Sequence, residues 1–196
     1  MTRCAVGAGL FVQCGKQVRQ QLPQHIEIKY LLGGLAVDTD QPMPEALQKT
    51  IRQTWQRIQK DVPGTQFNFD FWETYQPRRS TYPACRAVIA ARAQGHQYEE
   101  AMILAIQQAY YLNAKNPSDA DILCRQAATL KLDLKQFQID LNSQQTLQQL
   151  EQEIAKSRTI GAQGFPSLIW QGYGNYRSIV LDYNNADVVL QAIILQ

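Results

Sequence analysis

The feature that most constrains this chain is a double change of hydrophobic period. Ile26, Ile28, Tyr30 and Leu32 alternate with polar Glu27 and Lys29, which predicts a strand over residues 26–32 closed by Gly33-Gly34. From Pro44 the period becomes helical. Leu47, Ile51, Trp55 and Ile58 share one face, and Pro63-Gly64 stops the helix. After Gly161 the period returns to two. Residues 167–171 and 176–181 are predicted strands, joined by a Gly172-Tyr173-Gly174-Asn175 turn, and residues 185–195 form a closing helix. The order is a strand, roughly a hundred residues of helix, a β-hairpin and a helix, with no internal repeat.

Within the helical stretch, Phe67, Phe69 and Phe71 alternate with polar residues in a short extended or irregular segment. Ser80-Thr81-Tyr82-Pro83 reads as a helix start, continued over residues 84–93 and capped by Gly95. Residues 98–112 form the next helix, apolar at Met102, Ile106, Ala109 and Tyr110. Asn116-Pro117-Ser118 opens another, where Ser118-x-x-Asp121 has a capping-box pattern. Ser143 opens the last, with Leu147, Leu150 and Ile154 inside.

Composition excludes more than it selects. The 196 residues suit one domain, or a small domain carrying an insertion, and are ample for a core. Lys and Arg total 19 against 17 Asp and Glu, a net charge of +2 that offers no electrostatic case for a nucleic-acid partner. No apolar run reaches the ~20 residues of a membrane span. No basic segment precedes a long apolar one, so no secretory signal is expected and the compartment expected is the cytoplasm.

The four cysteines, Cys4, Cys14, Cys85 and Cys124, include no Cys-x-x-Cys pair, and with only His25 and His96 they give no metal signature. Cys85 and Cys124 sit among Ala, Ile and Leu and read as small buried hydrophobes; both histidines read as surface residues. Gly7-Ala8-Gly9 lacks the third glycine of a dinucleotide loop. The stretch from Gly9 to Gly15-Lys16 has the wrong spacing for a phosphate loop, with Gln17 where Ser or Thr should stand.

Gly164-Phe165-Pro166-Ser167-Leu168 is more informative: a proline directly before an apolar strand, where its missing N–H costs no ladder bond. Three pieces in order then resemble the DsbA family of thiol–disulfide oxidoreductases, closest to its FrnE-type branch. They are the strand ending in Gly33-Gly34-Leu35, the segment Pro77-Arg78-Arg79-Ser80-Thr81 leading to Ala84-Cys85-Arg86-Ala87, and Gly164-Phe165-Pro166-Ser167. The resemblance implies an α/β fold, a single DsbA-like domain over residues 1–196. Its thioredoxin-like part would be 18–40 and 158–196, with an all-helical insertion at 41–157. It also implies that Gly164, Phe165, Pro166 and Ser167 form a cis-proline loop holding substrate backbone.

The family begins with a strand and a Cys-x-x-Cys at a helix N-terminus, which lowers the thiol pKa. Here the opening is Met-Thr-Arg-Cys-Ala-Val-Gly, so Cys4 has Gly7 where the partner belongs, and the first strand is expected to be absent, leaving a gap in the sheet. With suitable codons, reading residues 1 to about 17 two bases out of frame yields Asp-Pro-Met-Cys-Ser-Trp-Cys-Trp-Ala-Phe, the family's opening, with the frame restored near Val18.

The resemblance thus implies a truncated relative of a disulfide oxidoreductase or isomerase, with no catalytic dithiol. Cys4 is its one remnant candidate. Partners would be protein or small-molecule thiols and disulfides. No metal or organic cofactor is required, and glutathione is admitted as reductant or ligand. Two alternatives stand beside it. One is a glutathione-dependent isomerase of the 2-hydroxychromene type. The other is a non-catalytic peptide-binding module using the proline loop and the aromatic stretch from Phe67 to Tyr75.

Overall fold

The computed structural model describes residues 2–4, 12–172 and 174–194. The chain divides into two compact units, Met1–Gly33 with Gln152–Gln196, and Gly34–Glu151.

The first unit is built on a four-stranded sheet. Its strands are β1 (Thr2–Cys4), β2 (Lys29–Leu31), β3 (Ser167–Gly172) and β4 (Asn175–Ile179), in the order β2-β1-β3-β4. β1 runs parallel to β2 and antiparallel to β3, and β3 and β4 form the hairpin. Helices α1 (Val12–Gln21) and α9 (Ala186–Ile194) belong to this unit, together with the part from Gln152 of the helix Gln144–Thr159.

The expectation of a missing first strand is therefore corrected. Three residues suffice: Thr2, Arg3 and Cys4 occupy the position between β2 and β3 and pair on both sides, so the sheet has no gap there. The second strand is shorter than its alternation suggested. Only Lys29, Tyr30 and Leu31 find partners across β1, while the Ile26 N–H turns back to the Pro23 carbonyl at 2.9 Å. Residues 12–21 form a helix as the sequence stands, an element not expected from it, and Val18 on that helix is buried.

Period two in β3 has a direct structural meaning. Leu168 joins Val18, Ile179, Val189, Leu190 and Ile193 on one face, and Ile169 joins Leu31 and Ile160 on the other. Adjacent residues point to opposite faces, so a strand with both buried lies inside a two-sided core.

The second unit is helical. It holds α2 (Glu45–Asp61), the short α3 (Phe71–Thr74), α4 (Tyr82–Ala93), α5 (Gln97–Gln107), a π-helical turn (Gln108–Leu112), α6 (Ala120–Thr129) and α7 (Leu134–Leu141). Then α8 (Gln144–Thr159) follows, with its residues up to Glu151 in this unit and those from Gln152 in the first. Trp55 on α2 is 4% exposed and lies against Phe67 (ring centroids 4.8 Å), Trp72 (5.0 Å), Tyr110 (5.4 Å), Tyr111 (5.6 Å) and Phe69 (5.7 Å). The aromatic stretch is thus core of this unit, with Phe67, Phe71 and Trp72 buried beside Met43 and Ala114.

Two local expectations change. The Ser118 hydroxyl does not cap α6. It donates to the Ser80 carbonyl at 2.7 Å, and Asp119 stands at the N-cap without a side-chain cap bond. Asp133 instead caps α7, an element the period did not reveal, by accepting the Gln136 N–H at 3.0 Å.

Candidate functional site

The cis-proline segment is delivered by the end of α8. Gly161 has φ +90, the left-handed region that glycine enters freely. Its N–H donates to the Arg158 carbonyl and the Ala162 N–H to the Ser157 carbonyl, both at 3.0 Å, the paired bonds of a Schellman cap. That cap turns the chain out of the helix towards Gly164.

The Phe165–Pro166 peptide bond is cis. The Ser167 hydroxyl donates back to the Gly164 carbonyl at 2.5 Å, closing the loop on itself. Phe165 packs against the cluster of Leu31, Ile160 and Ile169. A Cβ built on Gly33 would overlap the Phe165 ring, so that ring lies directly on the glycine.

The strand register gathers the remaining residues. Ser167, the residue after the cis-proline, pairs with Cys4, and Cys4 pairs on its other side with Leu31. One residue beyond Leu31, the Leu32 N–H donates to the Glu153 carboxylate at 2.9 Å, with both residues buried. The ends of β1 and β2 and the whole segment Gly164-Phe165-Pro166-Ser167 therefore meet at one edge of the first unit. Cys4 contributes a backbone position there; its side chain, that of Cys14 on α1, and residues 5–11 lie outside the described residues, so the Gly7-Ala8-Gly9 pattern does too.

The other candidates go elsewhere. Cys85 is fully buried in α4, and Cys124 in α6 is partly exposed, its sulfur 3.8 Å from the Gln138 amide nitrogen. Neither forms a disulfide, and both lie in the second unit. His25 and His96 are exposed. Sequence reasoning missed two participants. Glu153 carried a signal: it falls on the inner face that Leu150, Ile154 and Ser157 also line, where a carboxylate needs a partner. Gly33 read only as a strand terminator, because the ring it accommodates lies 132 positions further along (165 − 33).

No helix among the described residues is long and apolar enough to cross a membrane. The thioredoxin family model matches residues 15–184. The ClpXP adapter protein SpxH of Bacillus subtilis is 29% identical over 102 residues, 52% of this chain and 34% of that protein, so the match spans about a third of the relative's length. Among solved structures, a proposed protein disulfide isomerase from Nitrosomonas europaea is similar with a TM-score of 0.85 at 21% identity, covering 99% of this chain and 95% of that one. The cytosolic disulfide reductase DsbM from Pseudomonas aeruginosa is similar with a TM-score of 0.73 at 17% identity, covering 97% and 92%. At these identities the likeness to solved structures is one of fold. The family match over most of the chain, a sheet ending at a cis-proline loop and a helical unit inserted after β2 lead to one statement: this chain belongs to the thioredoxin family and has the DsbA-like form of its fold.

Proposed function

We propose that this chain is a thiol–disulfide exchange protein of DsbA type that keeps the substrate-holding loop and has lost dithiol turnover. The observation that carries the reading is the register of Cys4 with Ser167, next to the cis-proline. A thiolate at Cys4 attacks a substrate disulfide, forms a mixed disulfide and expels the second substrate sulfur as thiolate. Release then requires a resolving thiol, and position 7 is glycine. Gly164, Phe165, Pro166 and Ser167 hold the substrate backbone, with no metal in the reaction.

The partners are protein or small-molecule disulfides and thiols. Glutathione is the favoured small partner, because the DsbM neighbour has also been solved with it. We place the protein in the cytoplasm, as that neighbour is cytosolic.

Insulin reduction with dithiothreitol tests the reading. The chain as it stands shows no turnover above background, whereas Gly7→Cys, which restores the Cys-x-x-Cys spacing from Cys4, gains it. Turnover by the unaltered chain, or none by Gly7→Cys in a folded protein, overturns the proposal.

A further inference from the structure

We infer that Phe165 is the positioning residue of the cis-proline loop and that Gly33 is its seat. The inference rests on the reading of that loop as the place where substrate backbone is held. Three observations converge. The ring of Phe165 occupies the space that any side chain at position 33 would need. The same ring closes the small cluster of Leu31, Ile160 and Ile169, which lies on the face of the sheet opposite α1 and α9. The end of β2 is itself held, since the Leu32 amide is bonded to buried Glu153.

Among the described residues, the loop is also tied to the sheet at its far end, where Ser167 pairs with Cys4. A Cβ built on Gly164 would meet nothing, and the hydroxyl of Ser167 bonds to Gly164 within the loop. Between Ala162 and the start of β3, Phe165 is the one large apolar side chain, so its contact with Gly33 sets the part of the loop ahead of the Ser167–Cys4 pairing against the sheet. Neighbouring residues that touch the substrate need not change for its position to change. A residue at 33 larger than glycine displaces the ring, and the loop moves with it. Phe165 and Gly33 thus act through the loop and touch no reacting atom.

The test uses nuclear magnetic resonance on the full chain. An aromatic ring lying on Gly33 shifts its Hα resonances upfield, and Phe165→Ala returns them to ordinary values. In the same variant the backbone order parameters of residues 164 and 165 fall from about 0.85 to below about 0.6, while those of residues 169–171 stay unchanged. Gly33→Ala produces the same local loss without altering the loop sequence. Phe165→Leu, which keeps an apolar filling, falls between.

Titration with reduced glutathione supplies the functional arm. If disorder leaves the loop competent about a tenth of the time, affinity weakens by about tenfold in Phe165→Ala. Unchanged Gly33 shifts and order parameters in Phe165→Ala overturn the inference, as does a variant that loses order evenly throughout the sheet. If the unaltered chain binds no glutathione, the glutathione reading of the loop falls. The resonance shifts and order parameters then still decide whether Phe165 seats the loop.

Discussion

The carboxylate of Glu153 accepts the backbone N–H of Leu32 at 2.9 Å, across 121 residues of sequence. A backbone donor just past the end of β2 cannot pair within the sheet there, and burial denies it water. Glu153→Leu leaves that N–H unpaired and costs about 1–3 kcal/mol. For a chain of this length the midpoint of thermal unfolding falls by about 2–4 °C per kcal/mol. Glu153→Gln keeps an acceptor in place and costs less. Calorimetry on the two variants checks this; equal losses would show that the bond to Leu32 contributes nothing of its own.

At the C-terminal end of α6, Lys131 has φ +59 and is exposed. Its N–H donates to the Ala128 carbonyl and the Leu132 N–H to the Ala127 carbonyl, the Schellman arrangement that glycine normally serves. A β-carbon in that conformation costs roughly 1–2 kcal/mol, partly offset because glycine has more freedom to lose on folding. Lys131→Gly is therefore expected to stabilise the protein by a few tenths to about 1 kcal/mol. Urea unfolding measures it, and a lowered midpoint would refute the assignment of strain to this residue.

Thr81 grips one residue from both sides. Its hydroxyl accepts the Ala36 N–H at 2.8 Å and donates to the Ala36 carbonyl at 3.1 Å, and its own N–H donates to the same carbonyl at 3.0 Å. Thr81→Val keeps the shape and removes both hydroxyl bonds, at a cost of about 1–3 kcal/mol. Thr81→Ser keeps the bonds. Hydrogen exchange at the Ala36 amide reports the difference: fast in Thr81→Val, protected in Thr81→Ser and in the unaltered chain.

Where a side-chain period repeats for several turns, the sequence carries the fold. Leu47, Ile51, Trp55 and Ile58 announced α2, and the run from 167 announced β3, because each pattern is local. Elements that depend on a distant partner did not announce themselves. β1 is three residues long and becomes a strand only between β2 and β3. The short α7 was hidden, although Asp133 and Gln136 have capping spacing. Ser118 has capping spacing too, yet the distant Ser80 carbonyl takes its hydroxyl. At the site, Pro166 was visible because proline before an apolar run is rare. The roles of Gly33 and Glu153 were not, because the groups they meet lie more than a hundred residues away.

The two cysteines of the second unit differ in access. Cys85 is 0% exposed, whereas Cys124 reaches solvent beside the Gln138 amide. A disulfide reagent needs both thiolate and approach. With Cys4 and Cys14 replaced by serine, Ellman's reagent is expected to label Cys124 in the native protein and Cys85 only after unfolding. Peptide mapping of the labelled protein identifies the site. Rapid native labelling at Cys85 would contradict the packing of α4.

Alkaline pH should unfold this protein through its tyrosines. Tyr110 lies with its ring 4.8 Å from Phe71 and 4.5 Å from Tyr111. Burial, and secondarily the neighbouring Tyr111, push its hydroxyl pKa well above the ordinary 10.0, and burial moves Tyr183 in the same direction. Above pH 10.0 the unfolded chain releases these protons while the folded chain keeps them. The folded state then binds more protons, so stability falls as pH rises, and below that pH the two groups impose no slope. Tyr110 alone accounts for at most about 1.4 kcal/mol per pH unit. Tyr110→Phe is expected to flatten the decline of unfolding free energy between about pH 10 and 11.5 by up to that amount. Urea titrations at stepped pH measure the slope; the same slope in Tyr110→Phe and the unaltered chain would show that this phenol ionises freely in the folded state.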